Sequence, residues 1–552
     1  MTGPNDLLEC VPNFSEGRHT YTIDLIARAI QSVPGVQLLH VDRGFDAHRT
    51  VMTFAGPAEA VVEAAFRAIR IAAERIDMRR HEGTHPRMGA TDVCPLIPLG
   101  DLQMADAVSW AQFLGQRVGQ ELHIPVYLYE HAATRPQCRN LSDIRRGEYE
   151  GLRQKMADPQ WFPDFGPSEF PEQTGATVIG ARDFLLAYNI NLNTPLVARA
   201  NQIASRVRES GRRVRQPDGT WQQLAGRCPG TKAIGWYLDE YGTTQVSMNL
   251  TDRHQTGLAK AFQACVEEAQ ALGIRVTGSE LIGMVPLDAM LEAGRYFLRK
   301  QNRSTALPES EIIDTALRSL GLQEFGAFDP NKRILEYALQ PADKDRLTDL
   351  SLRQFVDRVA RDLPTPGGGS TAAAVGALGA ALAAMVTNIS SGKQNHDYTA
   401  CVAVAEKAID LQNQLLALSD TDSLVYERIL TAQRLPRQTA AQQEAREKQI
   451  QQELYEATNI PLRIMQACQQ AMHLCQQAIS LGLPSTIPDA GAGLTLAAGA
   501  LRAAAMSVRA NLPFIKDADW VRKARQQMEI QMDLARSLEA EAWADLSEKL
   551  DN

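Results

Sequence analysis

Hydrophobic and polar positions alternate with two different periods through the first 330 residues. Short runs rich in β-branched and aromatic residues predict strands, and longer segments with apolar positions three and four residues apart predict amphipathic helices. Strands are predicted in LLECVPNF, VQLLHVD, TVMTFAG, DVCPLIPL and IPVYLY, with helices in YTIDLIARAIQS, AEAVVEAAFRAIRIAAERI and MADAVSWAQFLGQRVGQEL. This alternation predicts a mixed α/β (α+β) architecture.

A similar order returns in the next part of the chain. It comprises the strand-like ATVIGARDFLLAYNINLN, the helix LVARANQIASRVRES, strand-like runs at AIGWYLDEYG and TQVSMNLTD, the helix AKAFQACVEEAQAL and the strand-like IRVTGSELIGMVP. Each half therefore has an approximate β-α-β-β-α-β order, which is typical of split βαβ units. We expect two related lobes, at 1–181 and 182–329, with a small-molecule site in the groove between them. The polar stretch at 211–231 matches neither half of this pattern.

The pattern changes after about residue 328, where the chain becomes almost entirely helical. The polar, punctuated PNKRILEYALQPADKDRL predicts a linker at 330–347. LRQFVDRVARDL, an Ala-rich segment from residue 370 and the C-terminal run that begins WVRKARQQM have helical periodicity. We expect an all-α helical bundle at 348–552. Because its helices are rich in Ala and poor in aromatic residues, we also expect the bundle to complete its core against a second copy.

Composition narrows the classes of function. The 57 Lys and Arg residues against 65 Asp and Glu give a net charge of −8 without a basic block, so no nucleic-acid partner is expected. The apolar stretch at 371–386 is short and built from Ala and Gly, which indicates a closely packed core helix rather than a membrane segment. The start of the chain has no signal-peptide pattern, and the eight scattered cysteines form no disulfide framework. A cytoplasmic protein is therefore expected.

The segment RRHEGTHPRMGATDVCP at 79–95 contains the first candidate chemistry. In it, His81, Glu82 and His85 form an H-E-x-x-H pattern. This spacing binds zinc when a helix places both imidazoles on one face. Gly83 and Pro86 oppose a helix there, so we expect no metal. A histidine in an irregular loop beside Arg87 is typical of an acid/base group next to a cation for an anionic substrate. The alternative is a histidine that packs the loop and a solvated arginine.

Two segments of the helical part carry further candidates. PTPGGGSTAAA at 364–374 favours either an anion site at a helix N-terminus or a linker with Ser370 as the N-cap. LSDTDSLVYERILTAQRLPR at 418–437 places Asp420 and Asp422 at the head of a predicted helix. Carboxylates there either cap the helix or serve as acid/base groups.

These motifs resemble the formimidoyltransferase-cyclodeaminase family along nearly the whole chain. The transferase part is similar in ECVPNFSEG, VDRG, HRTVMTFAGP, the His85 segment, PVYLY, WFPDFGP, GATVIGARDFL, YNINL, IGWYLDE and LIGMVP, all in one order. The cyclodeaminase part is similar in PGGGS, in Asp-x-Asp with a downstream RLP, and in PDAGAGLTLAAGALRAAAMSVRANL.

The resemblance implies a bifunctional folate enzyme of histidine degradation. The formimidoyl group of N-formimidoyl-L-glutamate would pass to N5 of tetrahydrofolate, and attack by N10 would then close the ring, expel ammonia and leave 5,10-methenyltetrahydrofolate. By the same resemblance His85 is the proton-transferring histidine and Asp422 the aspartate of the cyclisation. Asp42 is a carboxylate near His85 that either orients the imidazole or binds N5–H, and Arg87 is the expected substrate-binding cation.

The resemblance also implies the ligands and the assembly. The implied folate-contacting segment comprises Gly166, Pro167, Ser168, Glu169, Phe170, Pro171, Glu172, Gln173, Thr174 and Gly175. Tetrahydrofolate, including its polyglutamylated form, is the implied co-substrate, and the family forms ring-like homo-oligomers. No membrane partner is expected.

Three other functions stay open at this point. They are formyl transfer from N-formylglutamate, a chain with only one active site and, from a different class, a folate-binding scaffold without chemistry. Formation of methenyl-folate from formimidoylglutamate and tetrahydrofolate distinguishes the enzyme from the scaffold.

Overall fold

The change of periodicity along the sequence corresponds to a change of architecture. A computed structural model describes residues 6–83, 85–239, 241–339, 346–394 and 396–551. The chain divides into a first unit, Met1–Phe297 with Ile313–Pro341, and a second unit, Leu298–Ile312 with Ala342–Asn552. The first unit is mixed α/β and the second is helical, which confirms the predicted fold class.

The first lobe of the first unit is built on a sheet that is covered by helices. Its strands are β1 (Asp6–Cys10), β2 (Asn13–Phe14), β3 (Gln37–Gly44), β4 (Arg49–Pro57), β5 (Thr91–Gly100), β6 (Val126–Glu130) and β7 (Thr177–Ala181). Its helices are α1 (Thr20–Gln31), α2 (Ala58–Arg75), α3 (Met104–Glu121), α4 (Leu141–Ile144) and α5 (Glu148–Met156).

The segment LLECVPNF, predicted as one strand, forms two. β1 and β2 both pair antiparallel with β4 and with β5, so they act as a single strand interrupted at Val11 and Pro12. Pro12 has no N–H to donate to the ladder, which explains the break. The resulting strand order is β3, β4, β1 with β2, β5, β7 and β6, in which β7 pairs parallel with β5 and β6.

The second lobe repeats the β-α-β-β-α-β order. It contains β8 (Leu186–Leu192), α6 (Val197–Val207), β9 (Arg212–Arg215), β10 (Trp221–Leu224), β11 (Thr231–Leu238), β12 (Thr243–Leu250), α7 (Leu258–Gln270) and β13 (Val276–Ile282). Its antiparallel sheet has the order β11-β12-β8-β13. The corresponding strands of the first lobe lie in the matching order β3-β4-β1-β5, which confirms the repeated split βαβ pattern. The stretch at 211–231 contains the hairpin of β9 and β10.

Four helices follow β13: α8 (Leu287–Lys300), α9 (Glu309–Leu320), α10 (Pro330–Arg333) and α11 (Leu335–Leu339). The last two lie in the segment predicted to be a linker, where Ile334 and Leu335 are buried and Ile334 belongs to the core of the second lobe. Although the segment is mostly polar, it therefore contains two positions that are buried. Residues 340–345 of the predicted linker lie outside the described residues, and the domain boundaries stay a prediction.

The second unit is a helical bundle whose core is made largely of small side chains. Its helices are α12 (Leu352–Val359), α13 (Gly368–Ser391), α14 (Tyr398–Gln433), α15 (Ala440–Leu481), α16 (Ile487–Asn511) and α17 (Ala518–Asp551). Gly379 of α13 lies so close to α16 that an added Cβ would meet the Gly493 carbonyl oxygen at 2.8 Å. Glycine is required at this contact because any side chain would separate the two helices.

Two helices in the described part of the chain, Gly368–Ser391 and Ile487–Phe514, are long and apolar enough to cross a membrane by length and composition. Just over half of the most apolar window of each is buried inside the protein. The stretch at 371–386 lies in the first of them and contributes its Ala side chains to the bundle core.

Candidate active sites

The sheets of the two lobes present polar faces to a common cavity. Side chains alternate across a strand, so Glu9 and Asn13 of the first sheet line the cavity while Leu8 and Cys10 point into the core beneath α1, α2 and α3. In the second sheet Asn189 faces the cavity, whereas its neighbours on either side belong to the apolar core.

The cavity has a volume of about 440 Å³, and its lining combines apolar side chains with charged ones. Its size suits a drug-sized ligand. Four cationic side chains line it, together with two acidic ones. The charged and imidazole side chains in the lining are Arg49, Arg145, Arg182, Lys232, Glu9, Glu130 and His85. The cavity therefore favours an anionic ligand.

His85 is a half-buried imidazole held in one tautomer. Its Nδ1 lies 2.7 Å from the Pro86 carbonyl oxygen, which can only accept a hydrogen bond, so Nδ1 carries the proton. The lone pair of Nε2 then accepts a hydrogen bond from the Arg49 guanidinium. Burial, with the positive charges of Arg49 and Arg145, lowers the pKa of His85 well below its ordinary value. At neutral pH the ring is therefore uncharged and presents a proton acceptor beside the cavity.

The guanidinium groups of Arg49 and Arg145 are neighbours in the cavity wall. Burial and the charge of Arg145 lower the pKa of Arg49 to about 10, and the Asp92 and Asp42 carboxylates oppose that change. Arg145 is held in place by the buried carboxylate of Asp92, which also accepts the Met88 N–H at 3.0 Å. Within the described ranges Arg145 has a carboxylate partner and Arg49 has none, so the pair of close cations attracts an anion.

The described residues of the H-E-x-x-H segment, 81–83 and 85, are not helical, whereas the zinc spacing requires a helix. His81 Nε2 lies 2.9 Å from the His48 carbonyl oxygen, and His81 Nδ1 accepts a hydrogen bond from Arg87 Nε at 3.1 Å. Both ring nitrogens are therefore engaged by the protein. At Gly83 an added Cβ would lie 2.6 Å from the Ala47 carbonyl oxygen. Among the residues that the structure describes, no three His, Cys, Asp or Glu side chains are grouped so that they could hold a metal ion.

Arg87 does not line the cavity. Its guanidinium is buried and pairs with Glu150 at 2.6 Å and with Glu148 at 3.2 Å, both in the first turn of α5. It also donates to His81, so it supports the loop that carries His85. Its predicted role in substrate binding stays a prediction, and the cations that line the cavity near His85 are Arg49 and Arg145.

Asp42 lies where the two lobes meet. Its Oδ2 accepts the Gly283 N–H at 3.2 Å, which ties β3 to the turn after β13. Its charge acts on Arg49, the hydrogen-bond partner of His85, and on Glu280 and Arg333 of the second lobe. Asp42 thus lies near the His85 site and acts on the imidazole through the side chain of Arg49.

The segment from Gly166 to Gly175 packs against the end of the His85 loop. Both terminal glycines have positive φ, 83° and 62°. An added Cβ at Gly175 would meet the Met88 carbonyl oxygen at 2.1 Å, and Gly89 pairs with Gly175 across a β-bridge. The end of the predicted folate-contacting segment therefore contacts Met88 and Gly89, three and four residues after His85, and the segment does not line the cavity.

The prediction that Asp420 and Asp422 stand at the head of a helix is wrong. Both lie deep within the 36 residues of α14, whose N-cap is Asp397. Tertiary packing overrides the low helix propensity of the SDTDS sequence. Asp420 accepts the Leu347 N–H at 2.7 Å and the Thr348 hydroxyl at 2.8 Å, so it anchors the segment that precedes α12.

Asp422 faces the start of α13. Ser370 is not the N-cap of that helix, since the cap is Gly367. Instead the buried Ser370 hydroxyl donates to Asp422 Oδ2 at 2.9 Å. Gly369 permits this approach, because an added Cβ would lie 2.4 Å from Asp422 Oδ1. Burial raises the pKa of Asp422, and hydrogen bonds from the Ser370 hydroxyl and N–H oppose the rise. The carboxyl is thus poised to exchange a proton closer to neutral pH.

Sequence reasoning missed the cations of the cavity. Arg49, Arg145, Arg182 and Lys232 are far apart along the chain and meet only through strand register and the pairing of the two lobes. Arg49 lies in the motif HRTVMTFAGP and is the first residue of β4. A charged residue at the start of a mainly apolar strand is the sequence feature that could have pointed to it.

Comparisons with known proteins cover both units. Residues 7–182 match the formiminotransferase domain, N-terminal subdomain, residues 187–340 match the formiminotransferase domain, and residues 351–530 match the formiminotransferase-cyclodeaminase model. The chain is 41% identical over 531 residues to the formimidoyltransferase-cyclodeaminase of Rattus norvegicus, across 95% of this chain and 96% of the relative. The protein of the same name from Mus musculus is 42% identical over 488 residues, 88% of each chain. A glutamate formimidoyltransferase of Streptococcus pyogenes serotype M1 is 38% identical over 54% of this chain and 94% of its own.

Proposed function

Because the chain belongs to the formiminotransferase-cyclodeaminase family, we propose that it transfers the formimidoyl group of N-formimidoyl-L-glutamate to N5 of tetrahydrofolate and cyclodeaminates the product. The second step forms 5,10-methenyltetrahydrofolate and ammonia. The protein is thus a transferase of one-carbon groups and a lyase. The observation that carries the first step is the uncharged His85 imidazole beside a cavity rich in cations.

In the transfer step, N5 attacks the formimidoyl carbon and loses a proton, and the departing glutamate nitrogen gains one. His85 Nε2, which holds a lone pair, accepts the first proton and returns it to the leaving nitrogen. A low pKa keeps the imidazole in the accepting form at neutral pH. Arg49 and Arg145 hold a carboxylate of the substrate, and when Arg49 turns to that carboxylate it releases Nε2 for proton transfer.

The roles of the other predicted residues follow from their contacts. Asp42 acts through Arg49 and holds the two lobes in register, so it is a positioning residue. Arg87 supports the loop of His85 through its contacts with His81. The segment from Gly166 to Gly175 holds the folate next to that loop, since it packs directly on the Met88 and Gly89 backbone.

In the cyclisation step, N10 attacks the formimidoyl carbon and ammonia departs. When the formimidoyl group reacts as its protonated amidinium form, N10 must lose one proton and the departing NH2 nitrogen must gain one to leave as ammonia, and the positive charge stays on the methenyl product. The Asp422 carboxyl serves both transfers. Its raised pKa makes the protonated form accessible near neutral pH, which an ordinary exposed carboxylate does not offer. Tetrahydrofolate is the co-substrate carried through both steps, and neither step requires a metal.

We also propose that the protein is a cytoplasmic homo-oligomer of histidine breakdown. The donor substrate is the chemical link to histidine, and tetrahydrofolate enters alone or in its polyglutamylated form. All eight cysteines are free, in keeping with a reducing compartment. Leu378, Met385 and Ile389 expose apolar side chains along one side of α13, and Leu496 and Met506 do so on α16. A second copy covering these side chains would account for their exposure.

The test compares His85→Ala with Asp422→Asn in the full-length protein. Formimidoyl transfer is followed from formimidoylglutamate, and cyclisation is followed by ammonia release and methenyl-folate absorbance from supplied 5-formimidoyltetrahydrofolate. We expect His85→Ala to lower the rate of transfer by about 10²- to 10⁴-fold while cyclisation continues. We expect Asp422→Asn to lower the rate of cyclisation by a similar factor while transfer continues.

Two exposed residues provide matched controls for these variants. His254→Ala and Asp410→Asn, the latter on the same helix as Asp422, should leave both activities unchanged. Normal cyclisation by Asp422→Asn contradicts the second assignment. Equal use of N-formylglutamate as the donor contradicts the proposed substrate.

A further inference from the structure

A carboxyl group without a partner is buried in the wall of the cavity. Glu9 of β1 is 1% exposed and lines the cavity. Neither of its carboxyl oxygens has a hydrogen-bond partner within the described part of the chain. A buried polar group that lacks a partner destabilises the fold, so its persistence calls for a ligand that completes it.

Glu9 is remote from His85. In the sheet it pairs with Ala55 of β4, whereas Arg49, which contacts the imidazole, stands six residues earlier in the same strand. At about 3.4 Å per residue the two positions are separated by roughly 20 Å along the strand. Glu9 therefore lies in a second polar region of the cavity wall, the station that it forms with Arg182 and Tyr129. It does not contact the groups that exchange protons.

Other polar groups converge on this station. Arg182, which follows β7, lies close enough to lower the pKa of Glu9. The buried Tyr129 hydroxyl lies beside the same guanidinium. Arg182 can only donate hydrogen bonds and the tyrosine hydroxyl can donate one, so the station is rich in donors.

The protonation state of Glu9 decides which charge the station attracts. Burial and the negative charge of Glu336 raise the pKa of Glu9 to about 8, and Arg182 opposes the rise. Below that pH the carboxyl is neutral and offers an O–H donor beside the positive charge of Arg182. The carboxylate of Glu336 acts on Glu9 and that of Glu130 acts on Tyr129, so the station holds charges of both signs. Arg182 supplies the cation with which an anion can pair. A cationic ligand would meet repulsion from Arg182.

We propose that Glu9, Arg182 and Tyr129 form a subsite that binds a carboxylate of a glutamyl group. The proposal rests on the proposed function, because both substrates of the transfer step carry a glutamyl group with two carboxylates. One substrate is formimidoylglutamate, and the other is tetrahydrofolate through its benzoylglutamate end. Arg182 binds the carboxylate as an ion pair, and Glu9 binds it as the neutral acid by donating its proton in a hydrogen bond.

The test measures binding without turnover. Titration calorimetry follows two probes, N-formimidoyl-L-glutamate and p-aminobenzoyl-L-glutamate, with the full-length protein and with Glu9→Gln, Glu9→Ala and Arg182→Gln. We expect Glu9→Ala and Arg182→Gln to weaken binding of one probe by about tenfold or more at pH 7. Glu9→Gln keeps a donor of nearly the same size and should bind within about threefold of wild type. The probe that is affected identifies the source of the glutamyl group.

The pH dependence separates binding from a purely structural role. Affinity of the wild-type protein for that probe should fall between pH 7 and pH 9, as Glu9 loses its proton, and the fall should be absent from Glu9→Gln. The exposed Glu74→Gln on α2 serves as the matched control and should behave as wild type. Binding of both probes by Glu9→Ala as by wild type overturns the proposal, and so does a Glu9→Gln variant that binds as weakly as Glu9→Ala. If Glu9→Ala does not fold, the remaining two variants decide.

Failure of the proposed subsite can be distinguished from failure of the proposed function. If a probe binds with the expected dependence on Glu9 but the protein forms no 5-formimidoyltetrahydrofolate, the proposed transfer fails and the subsite stands. If transfer proceeds with unchanged KM values for both substrates in Glu9→Ala and Arg182→Gln, the subsite fails and the transfer stands.

Discussion

Burial shifts the pKa values of the two proposed acid/base residues in opposite directions. It lowers the pKa of His85 and raises that of Asp422, because in each case the charged form is the one that loses its hydration. Each residue also has a contact that opposes the change: the Pro86 carbonyl for His85 and Ser370 for Asp422. Both side chains are therefore held uncharged more readily than in water, which suits groups that pass protons to and from neutral nitrogen atoms.

Ser370 should tune the cyclisation step. Replacing it with alanine removes the hydroxyl that donates to Asp422, so the pKa of Asp422 should rise further. We expect the limbs of the pH–rate profile that report Asp422 to move toward higher pH, with kcat at neutral pH reduced by about fivefold, the equivalent of one hydrogen bond. The measurement is ammonia release against pH.

Two variants show whether the Ser370 hydroxyl itself is responsible. Ser370→Thr retains a hydroxyl and should restore most of the profile. Ser419→Ala removes a neighbouring hydroxyl that donates only to the Ser370 carbonyl oxygen, and it should leave the profile in place. An unchanged profile in Ser370→Ala would show that the hydroxyl does not influence Asp422.

Glu9 should make the stability of the protein dependent on pH. The native state keeps the Glu9 proton up to about pH 8, whereas the unfolded chain releases it near its ordinary value of 4.5. Between these values the native state binds more protons, so the free energy of unfolding falls as pH rises. Glu9→Gln cannot ionise, and we expect it to be more stable than wild type at pH 8 by on the order of a few kcal/mol, with little difference near pH 4.5. Thermal melts of both proteins at the two pH values measure this, and a constant difference would contradict it.

At the scale of elements, the second site depends on how closely α13 approaches α14. Gly369→Ala should abolish most cyclisation, because the added Cβ would lie within 2.7 Å of all three atoms of the Asp422 carboxylate group and would displace it. Gly368→Ala is a matched control in the same turn, since its Cβ would meet nothing within 4 Å. We expect transfer activity to be retained in both variants. Equal cyclisation by the two would show that the carboxylate need not lie against this turn.

Much of the element order could be predicted from the sequence because apolar periodicity is a local property. The repeated β-α-β-β-α-β order, the helical part and the irregular His85 loop are of this kind. The position of Asp422 could not be predicted locally, since SDTDS is a poor helix sequence that becomes helical only through packing against α13. The cations around His85 also escaped prediction, because Arg49 and Arg145 meet through strand register. Glu9 was part of a recognised motif, yet only the sheet shows that it faces a cavity.

At the scale of the whole molecule, the exposed apolar side of α13 should support self-association. Met385 lies seven residues after Leu378 and four before Ile389, so the three share one side of the helix, and all are exposed. We expect Met385→Glu to reduce the mass measured by light scattering, because a charge at such a contact loses its hydration without gaining a partner. Tyr21→Glu, on the exposed side of α1 in the first unit, should leave the mass unchanged. An unchanged mass for Met385→Glu would place any interface elsewhere.

The complete burial of the cysteines gives the chain a built-in reporter of its own motions. The first unit contains Cys10, Cys94, Cys138, Cys228 and Cys265, and the second contains Cys401, Cys468 and Cys475. A thiol reagent can reach them only when the surrounding structure opens, so the rate of alkylation at each site measures the free energy of that opening. Mass spectrometry of the alkylated peptides would therefore rank the two units by their resistance to local unfolding without any engineered label.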